Sequence, residues 1–317
     1  MSSQTRILSP DTAGIAAAAA LLRAGGLVAF PTETVYGLGG DATDPAAVAG
    51  IYAAKGRPAF NPLIVHVPDL AAAQVIARIE GQALALARAF WPGPLTLVVP
   101  LRAGAVCDLV TAGLSTVALR VPAHPLAQAL LRETDRPLAA PSANPSGRIS
   151  PTAAAHVAEG LSGRIAGILD GGPCTVGVES TIIAPDPLRL LRPGGLALEE
   201  IETVAGTRAG QEMTPARPAA PGQLASHYAP EAAVRLNATA ALGDEVLIGF
   251  GSVAGDLNLS PAGDTTEAAS RLFALLRAAD ALAAGRGGSG IAVAPIPETG
   301  LGRAINDRLR RAAAPRG

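Results

Sequence analysis

Lysine is almost missing from this 317-residue chain: of its 25 basic residues, 24 are arginine and only Lys55 is lysine. Cysteine is scarce too. Cys107 and Cys174 lie far apart and make no C-x-x-C pair, which permits one disulfide and excludes a disulfide framework. With four scattered histidines they offer no zinc-ligand spacing, so no transition metal is expected. Charged residues make up 16 % of the chain, the net charge is −1, and there are nine aromatic residues (one Trp, three Tyr, five Phe). That balance argues against a surface whose work is to coat nucleic acid, so any anion site must be local. Long apolar runs are lacking as well. The stretch from Ala13 to Leu22, bounded by Asp11 and Arg23, is too short to span a bilayer, and the N-terminus has no signal-peptide pattern. A cytoplasmic protein with no membrane partner is expected.

What is present is apolar substance: 49 % of the residues, enough for a sizeable core and, at this length, for two domains. The alanine and glycine content suggests a coding bias that replaces lysine by arginine wherever either serves. A single surviving lysine then marks a place where a compact ammonium is needed rather than a planar guanidinium fork. The competing reading is that one lysine survives by chance.

Pattern and punctuation place the elements. Asp11 or Thr12 caps a helix over 11–24, ended by Gly25-Gly26. A strand at 27–30 stops at Pro31. Asp44-Pro45 starts a helix that runs to Lys55 and stops at Gly56. Strands are expected at 63–67, 95–100, 116–121, 137–140, 165–169, 178–183 and 188–191. Helices are expected near 69–79 and 81–90, and from 151 with Ser150 as cap. On the strand 116–121, Val117, Leu119 and Val121 point one way, while Thr116, Ala118 and Arg120 share the other face. The interleaving predicts an α/β fold, a twisted mixed parallel and antiparallel sheet with flanking helices. Met213 to Gln223 holds three prolines and reads as a linker. A strand at 245–250, a helix at 265–283, a strand at 291–294 and a helix at 303–313 then make a small α/β domain with parallel character. The expected division is 1–207, a linker at 208–232, and 233–317.

Several segments could carry chemistry. Lys55-Gly56-Arg57-Pro58 sets two cations around a glycine where backbone can approach an anion closely; the bland reading is a solvated helix end complementing the dipole. Pro141-Ser142-Ala143-Asn144 follows a strand and offers hydrogen-bond groups where open α/β sheets bind ligands, though it is also a turn-forming sequence. Ser150-Pro151-Thr152 reads as a helix N-terminus, hence an anion site or plain capping. In Pro31-Thr32-Glu33-Thr34-Val35-Tyr36-Gly37-Leu38-Gly39, Glu33 could bind a metal or amine, or be a buried turn carboxylate. His66, alone on a strand, reads as structural. No Walker loop, Ser-His-Asp signature or zinc set is present. Cations and hydroxyls suit phosphate binding with no covalent nucleophile.

Taken in order, these segments resemble the YrdC-like family of threonylcarbamoyl-AMP synthases. The resemblance rests on the 30–38 loop, on Lys55-Gly56-Arg57-Pro58 with Asn61-Pro62-Leu63, on Trp91-Pro92-Gly93-Pro94-Leu95-Thr96, and on Leu119-Arg120-Val121-Pro122. It continues through Pro141-Ser142-Ala143-Asn144, Ser150-Pro151-Thr152, Glu179-Ser180-Thr181 and Leu191-Arg192-Pro193-Gly194. The C-terminal part resembles the family's long form, in which a Pro-Gly…His-Tyr-Ala-Pro linker leads to a small Rossmann-like domain. Here that motif runs from Pro221 to Pro230, with Gln223 where methionine is frequent. The resemblance implies that L-threonine, bicarbonate or CO2, and ATP give threonylcarbamoyl-AMP and pyrophosphate, presumed to need Mg2+ held mainly by the phosphates. It further implies a downstream transferase complex that modifies tRNA, so that tRNA is an indirect partner. Lys55 and Arg57 would be the catalytic cations. Asn61, Thr116, Ser142, Asn144, Ser150 and Arg192 would join them around ATP, with Tyr228 as a lid. Thr34, His66, Arg120, Ser180 and the backbone at Ala140 would hold threonine.

Two other readings are open: an RNA-binding module without adenylate chemistry, and a carbamoyl-phosphate-using domain of the hydrogenase-maturation type. Neutral charge and few aromatics weigh against the first, and the lack of zinc-knuckle cysteines weighs against the second. The lysine argument predicts that Lys55→Ala and Lys55→Arg both lose most pyrophosphate-forming activity while the fold survives; a fully active Lys55→Arg enzyme contradicts it.

Overall fold

The computed structural model describes residues 4–58, 60–211 and 227–315. After β1 (Arg6–Leu8), Asp11 accepts the Gly14 N–H at 2.8 Å and starts α1 (Thr12–Arg23). β2 (Val28–Phe30) leads through the 31–36 loop into β3 (Gly37–Asp41). Asp44 caps α2 (Pro45–Lys55), and Gly56 ends it in the left-handed region at φ 60°, where a side chain is costly. β4 (Ile64–His66), α3 (Leu70–Ile76), α4 (Gly81–Phe90), β5 (Leu95–Pro100), α5 (Asp108–Thr111) and β6 (Thr116–Arg120) follow. Next come α6 (Pro125–Thr134), β7 (Leu138–Ala139), α7 (Ala154–Leu161), β8 (Gly167–Leu169) and β9 (Thr181–Pro185), then β10 (Leu188–Arg192), α8 (Leu198–Ala205) and β11 (Gly210–Gln211). After residue 226 the elements are β12 (Val234–Arg235), β13 (Val246–Gly249), β14 (Leu257–Asn258), α9 (Thr265–Gly285), β15 (Ile291–Val293) and α10 (Gly302–Ala313).

The first eleven strands form one mixed sheet in the order β1-β8-β2-β3-β7-β4-β6-β5-β9-β10-β11. β4 and β6 pair in parallel, as do β5 and β9, while β3 with β7 and β5 with β6 pair antiparallel. The expected mixed sheet with flanking helices is therefore present. The alternation on β6 holds. Val117 and Leu119 join the main core with Val48 and Ile51 of α2 and Leu86 of α4, while Ala118 packs on the opposite face with Ile64, Ile182 and Leu191. Each large apolar side chain buried in that core stabilises by about 1.5–3 kcal/mol. Helices thus cover one face of the central strands, and the other face is left with a small apolar patch and the polar residues described below. The last four strands make a parallel sheet, β12-β15-β13-β14, which meets the Rossmann-like expectation.

Two local expectations change. The helix placed from 151 begins only at Ala154, after an Ala153 cap with no side-chain bond, so Ser150 is not its cap. The backbone before it is committed elsewhere: Tyr36 N donates to the Pro151 carbonyl and Cys174 N to the Thr152 carbonyl, both at 2.9 Å. The segment read as the 30–38 loop enters β3 already at Gly37. The Phe30 ring lies against Gly37 and Gly39, where a Cβ on Gly39 would sit 2.9 Å from Phe30 Cε1, and Leu27 and Ile51 lie against Gly40.

The C-terminal unit packs directly on the first sheet's loops. Val35, Ile149 and Val178 share one core cluster with Leu272 and Phe273 of α9 and Ile305 of α10. Gly177, at φ 78°, meets the α9 backbone so closely that a Cβ there would lie 2.5 Å from the Ala269 carbonyl oxygen. The loop carrying Glu179 and Ser180 is therefore seated on α9. Residues 212–226, which hold the proline-rich stretch and the motif from Pro221 to Ser226 with Gln223, lie outside the described residues; His227 to Pro230 are inside them. Among the described residues no helix is long and apolar enough to cross a membrane.

Candidate active site

The basic loop is buried, which removes the reading of a solvated helix end. Lys55 ends α2 with only 3 % of its surface exposed, and Arg57 is 9 % exposed. Lys55 Nζ donates to the Ser142 carbonyl at 2.6 Å and to the Asn144 carbonyl, so the ammonium clamps the 141–144 turn to the helix end. Arg57 donates from Nη2 to the Pro62 carbonyl at 3.0 Å, and from Nε and Nη2 to the Asn61 carbonyl at 3.3 Å. At the end of β10, Arg192 Nη2 donates to the Ser180 carbonyl at 2.8 Å and to Ser180 Oγ at 3.2 Å. Burial pushes Lys55 well below its usual value, and the neighbouring Arg57 adds to the fall. Burial likewise lowers Arg57 to about 10, with Arg192 contributing repulsion. Lys55 and Arg57 are hydrogen-bonded to backbone carbonyl oxygens, with Glu179 acting on Lys55 only from a distance.

Arg120, at the end of β6, is held differently. Its Nη2 pairs with Glu33 Oε1 at 2.7 Å, its Nη1 donates to Thr34 Oγ1 at 2.8 Å, and its Nε donates to the Gly93 carbonyl at 3.3 Å. Glu33 Oε2 accepts the Ala123 N–H. Glu33 is thus an arginine partner, which decides between the readings of that residue. Guanidinium carries about five N–H donors, so each terminal nitrogen of Arg120 keeps one for an incoming acceptor. His66, on β4 beside it, packs edge-on to Phe30 at 6.1 Å. Burial, then Arg120, pushes His66 down to about 3, so the ring is neutral at pH 7.

These two clusters meet in one cavity of about 40 Å³, room for little more than a water. Thr34, Arg57, His66, Arg120 and Ala140 line it, together with Ser142, Ser180, Arg192 and Tyr228. Lys55, Asn61, Asn144 and Ser150 stand one layer behind, bonded to that wall or to each other's backbone. Thr116 stands apart; it is half-buried and lines a separate groove with Val98 and Leu191. Two residues lining the cavity, His66 and His227, each leave Nδ1 buried with no hydrogen-bond partner among the described residues, and so do Asn61 Oδ1 and Asn144 Oδ1 in the layer behind. Buried polar atoms are rarely left unpaired, so these atoms could accept from or donate to a ligand. Among the described residues no group of three or more His, Cys, Asp or Glu stands close enough to hold a metal ion.

The sequence reading missed three contributors. Glu179 lines the cavity, and its Oε1 accepts the Ser150 hydroxyl at 2.5 Å. Burial alone would raise its carboxyl, but Arg308, Arg192 and the Ser150 hydrogen bond outweigh it and hold Glu179 at about 2. His227 lines the cavity beside Tyr228, ring centroids 4.1 Å apart, and burial lowers it to about 3. Tyr228 stacks on Phe273 of α9 at 5.5 Å. Arg308 of α10 reaches in from the C-terminal unit. A lone carboxylate in the Val178–Thr181 stretch was a usable signal for Glu179; nothing in the polar face of α10 singled out Arg308.

A family profile of the Sua5, YciO and YrdC proteins, described as telomere recombination, matches residues 20–194. A second, described as the threonylcarbamoyl-AMP synthase C-terminal domain, matches residues 196–314. The chain belongs to the threonylcarbamoyl-AMP synthase family. A curated synthase of this name from Bacillus subtilis is 53 % identical over 231 residues, 71 % of this chain and 67 % of that one. One from Pyrococcus abyssi is 46 % identical over 324 residues, 93 % of each chain. The crystal structure of P. abyssi Sua5 complexed with L-threonine superimposes with a TM-score of 0.88 at 42 % identity, covering 98 % of both chains.

Glu179 yields a pH prediction. Its folded value of about 2 lies below the ordinary 4.5, so its contribution to stability is complete above about 4.5 and disappears as the pH falls towards 2. Glu179→Gln should be less stable than wild type by about 3–5 kcal/mol at pH 7, the cost of breaking a buried pair. In urea unfolding, that difference should shrink as the pH is lowered through this window; a constant difference contradicts the assignment.

Proposed function

We propose that this cavity is where the chain acts as a threonylcarbamoyl-AMP synthase, converting L-threonine, bicarbonate and ATP to threonylcarbamoyl-AMP and pyrophosphate. The observation that carries this reading is the meeting, in one buried region, of Lys55 and Arg57, whose cationic groups are bonded to backbone carbonyls, with a carboxylate-paired arginine that has donors to spare. Lys55, Arg57 and Arg192 suit a polyanion, the triphosphate. Asn61, Ser142, Asn144 and Ser150 supply neutral hydrogen bonds to the same ligand, and Thr116, in its separate groove, would be reached only by a ligand that extends past the cavity. Arg120, fixed by Glu33, takes the amino acid carboxylate on its two remaining N–H groups. Thr34, His66, Ser180 and the backbone at Ala140 hold the rest of threonine. The family name, and the threonine in the P. abyssi crystal, fit both halves.

In this reading the threonine amine adds to the bicarbonate carbon and water is lost, giving a carbamate. A carbamate oxygen then forms a bond to the α-phosphorus while the bridging oxygen leaves with pyrophosphate. No protein nucleophile is needed. Lys55 and Arg57 neutralise charge as it grows on the departing pyrophosphate; fixed cations in a water-poor site act strongly because they need no reorganisation. Mg2+, when bound, supplies further charge neutralisation. Glu33 and Glu179 are both engaged by arginines, so Mg2+ would be held by phosphate oxygens and water rather than by these residues.

ATP is far larger than the space present, so His227 and Tyr228 must leave before it enters and can return to exclude water afterwards, as a lid does. We place the catalytic unit at 1–207, its connection at 208–232 and the smaller unit at 233–317. We further propose that the protein is cytoplasmic, and that the adenylate passes to a separate transferase complex that modifies tRNA. The test is to incubate the protein with ATP, threonine, bicarbonate and Mg2+ and to measure pyrophosphate. Release that requires both threonine and bicarbonate is expected; no release, or equal release with serine, overturns the substrate assignment.

A further inference from the structure

Arg308 is, among the described residues, the largest side chain with almost no exposed surface, at 0 %, and it belongs to α10 rather than to the sheet that carries the site. Its Nε donates to Glu179 Oε2 at 2.9 Å and its Nη1 to the Pro193 carbonyl at 2.7 Å. Asp307 Oδ2 accepts from the same Nη1 at 2.8 Å, and Asp307 also holds Arg311 Nε at 3.1 Å, so the guanidinium is braced from its own helix. The Tyr228 ring lies against it, with Cζ 5.3 Å from the ring centroid. One guanidinium therefore grips both loops that shape the site: the one carrying Glu179 and Ser180, and the one directly after Arg192.

The geometry of the pair is unusual for a purely structural tie. An arginine facing a carboxylate tends to engage both oxygens through Nε and a terminal nitrogen on the same edge. Here Arg308 Nε reaches only Oε2 of Glu179, and Oε1 accepts from the Ser150 hydroxyl at 2.5 Å. Arg308 Nη2 is left buried with no hydrogen-bond partner among the described residues. The carboxylate is shared so that the Ser150 hydroxyl is held in place. A buried ion pair is in any case a poor way to gain stability, since desolvation offsets the attraction.

We propose that Arg308 is a positioning residue for adenylate formation: by fixing Glu179, and through it Ser150, it sets the triphosphate side of the site from the C-terminal unit. The inference rests on the proposed assignment of Ser150 to ATP. It gives the C-terminal unit a role in the reaction that packing alone does not supply.

The test uses the full chain and compares wild type with Arg308→Ala, Arg308→Lys and, as a control on the same helix, Arg310→Ala, whose exposed side chain pairs with Glu298. Steady-state pyrophosphate release reads KM for ATP and kcat, calorimetry reads threonine affinity, and thermal unfolding reads stability. Arg308→Ala should raise KM for ATP on the order of ten- to a hundredfold, the size expected for losing charge-assisted hydrogen bonds. Threonine affinity should fall by much less, since Arg308 reaches Ser180 only through the loop that carries Glu179. Arg308→Lys should recover little, since a point charge cannot bridge two loops. Should Arg308→Ala not fold, Arg308→Lys combined with Ser150→Ala decides: if Arg308 acts through Ser150, the double variant is no worse for ATP than Ser150→Ala. An unchanged or lowered KM for ATP in Arg308→Ala, equal losses in threonine affinity, or additive effects in the double variant overturn the proposal. A wild-type protein that releases no pyrophosphate overturns the functional assignment instead.

Discussion

Desolvated positive charge is the constraint around which this structure is arranged. Lys55, Arg57 and Arg192 are each almost wholly buried, and each is pushed towards its neutral form by loss of water. Removing an ion from water costs several kcal/mol even after relaxation. The chain offsets part of that with backbone carbonyls: Ser142 and Asn144 for Lys55, Asn61 and Pro62 for Arg57, Ser180 for Arg192. Those carbonyls are available because residues 61, 62, 142, 144 and 180 lie outside the named strands and helices. The sheet's job is to bring the turn-bearing ends of β7, β10 and α2 to one place.

In the proposed reading the site has two anion pockets built on different principles. On one side, Lys55 and Arg57 are bonded to backbone carbonyls rather than paired with a carboxylate, which suits a ligand that brings several negative charges. On the other, Arg120 is already balanced by Glu33 and retains only directional donors, which suits a single carboxylate. Ser180 sits at the join. Its hydroxyl is bonded to Thr96 Oγ1 at 2.7 Å and to Arg192, and its carbonyl accepts from Arg192 as well. A shift at Ser180 would therefore be felt in both pockets, which gives a physical route for one substrate to sense the other.

Much of this was legible in the chain before any coordinates. Asp44-Pro45 and Gly56 delimit α2 because capping and left-handed glycine are local physics, and the two-residue period on β6 separates Arg120 from the core for the same reason. The uniqueness of Lys55 drew attention to α2's end, and the structure buries that lysine there beside Arg57. Other features were not legible because their causes are distant in sequence. β3 is glycine-rich where Phe30, Leu27 and Ile51 lie against it, so local propensity reads it as loop. The start of α7 is delayed by bonds to Tyr36 and Cys174. Arg308 looks like one more polar residue on a basic helix until α10 is seen to lie over Glu179.

The central claim is that the buried cations form the triphosphate pocket beside an amino acid carboxylate pocket at Arg120. A crystal structure of the protein with L-threonine and a non-hydrolysable ATP analogue tests it most directly. The account predicts phosphate oxygens within hydrogen-bond reach of Lys55, Arg57 and Arg192, the threonine carboxylate on Arg120, and Tyr228 displaced from the cavity it now fills. Phosphates bound elsewhere, or an analogue bound with Lys55 and Arg57 still facing only their backbone carbonyls, would contradict it.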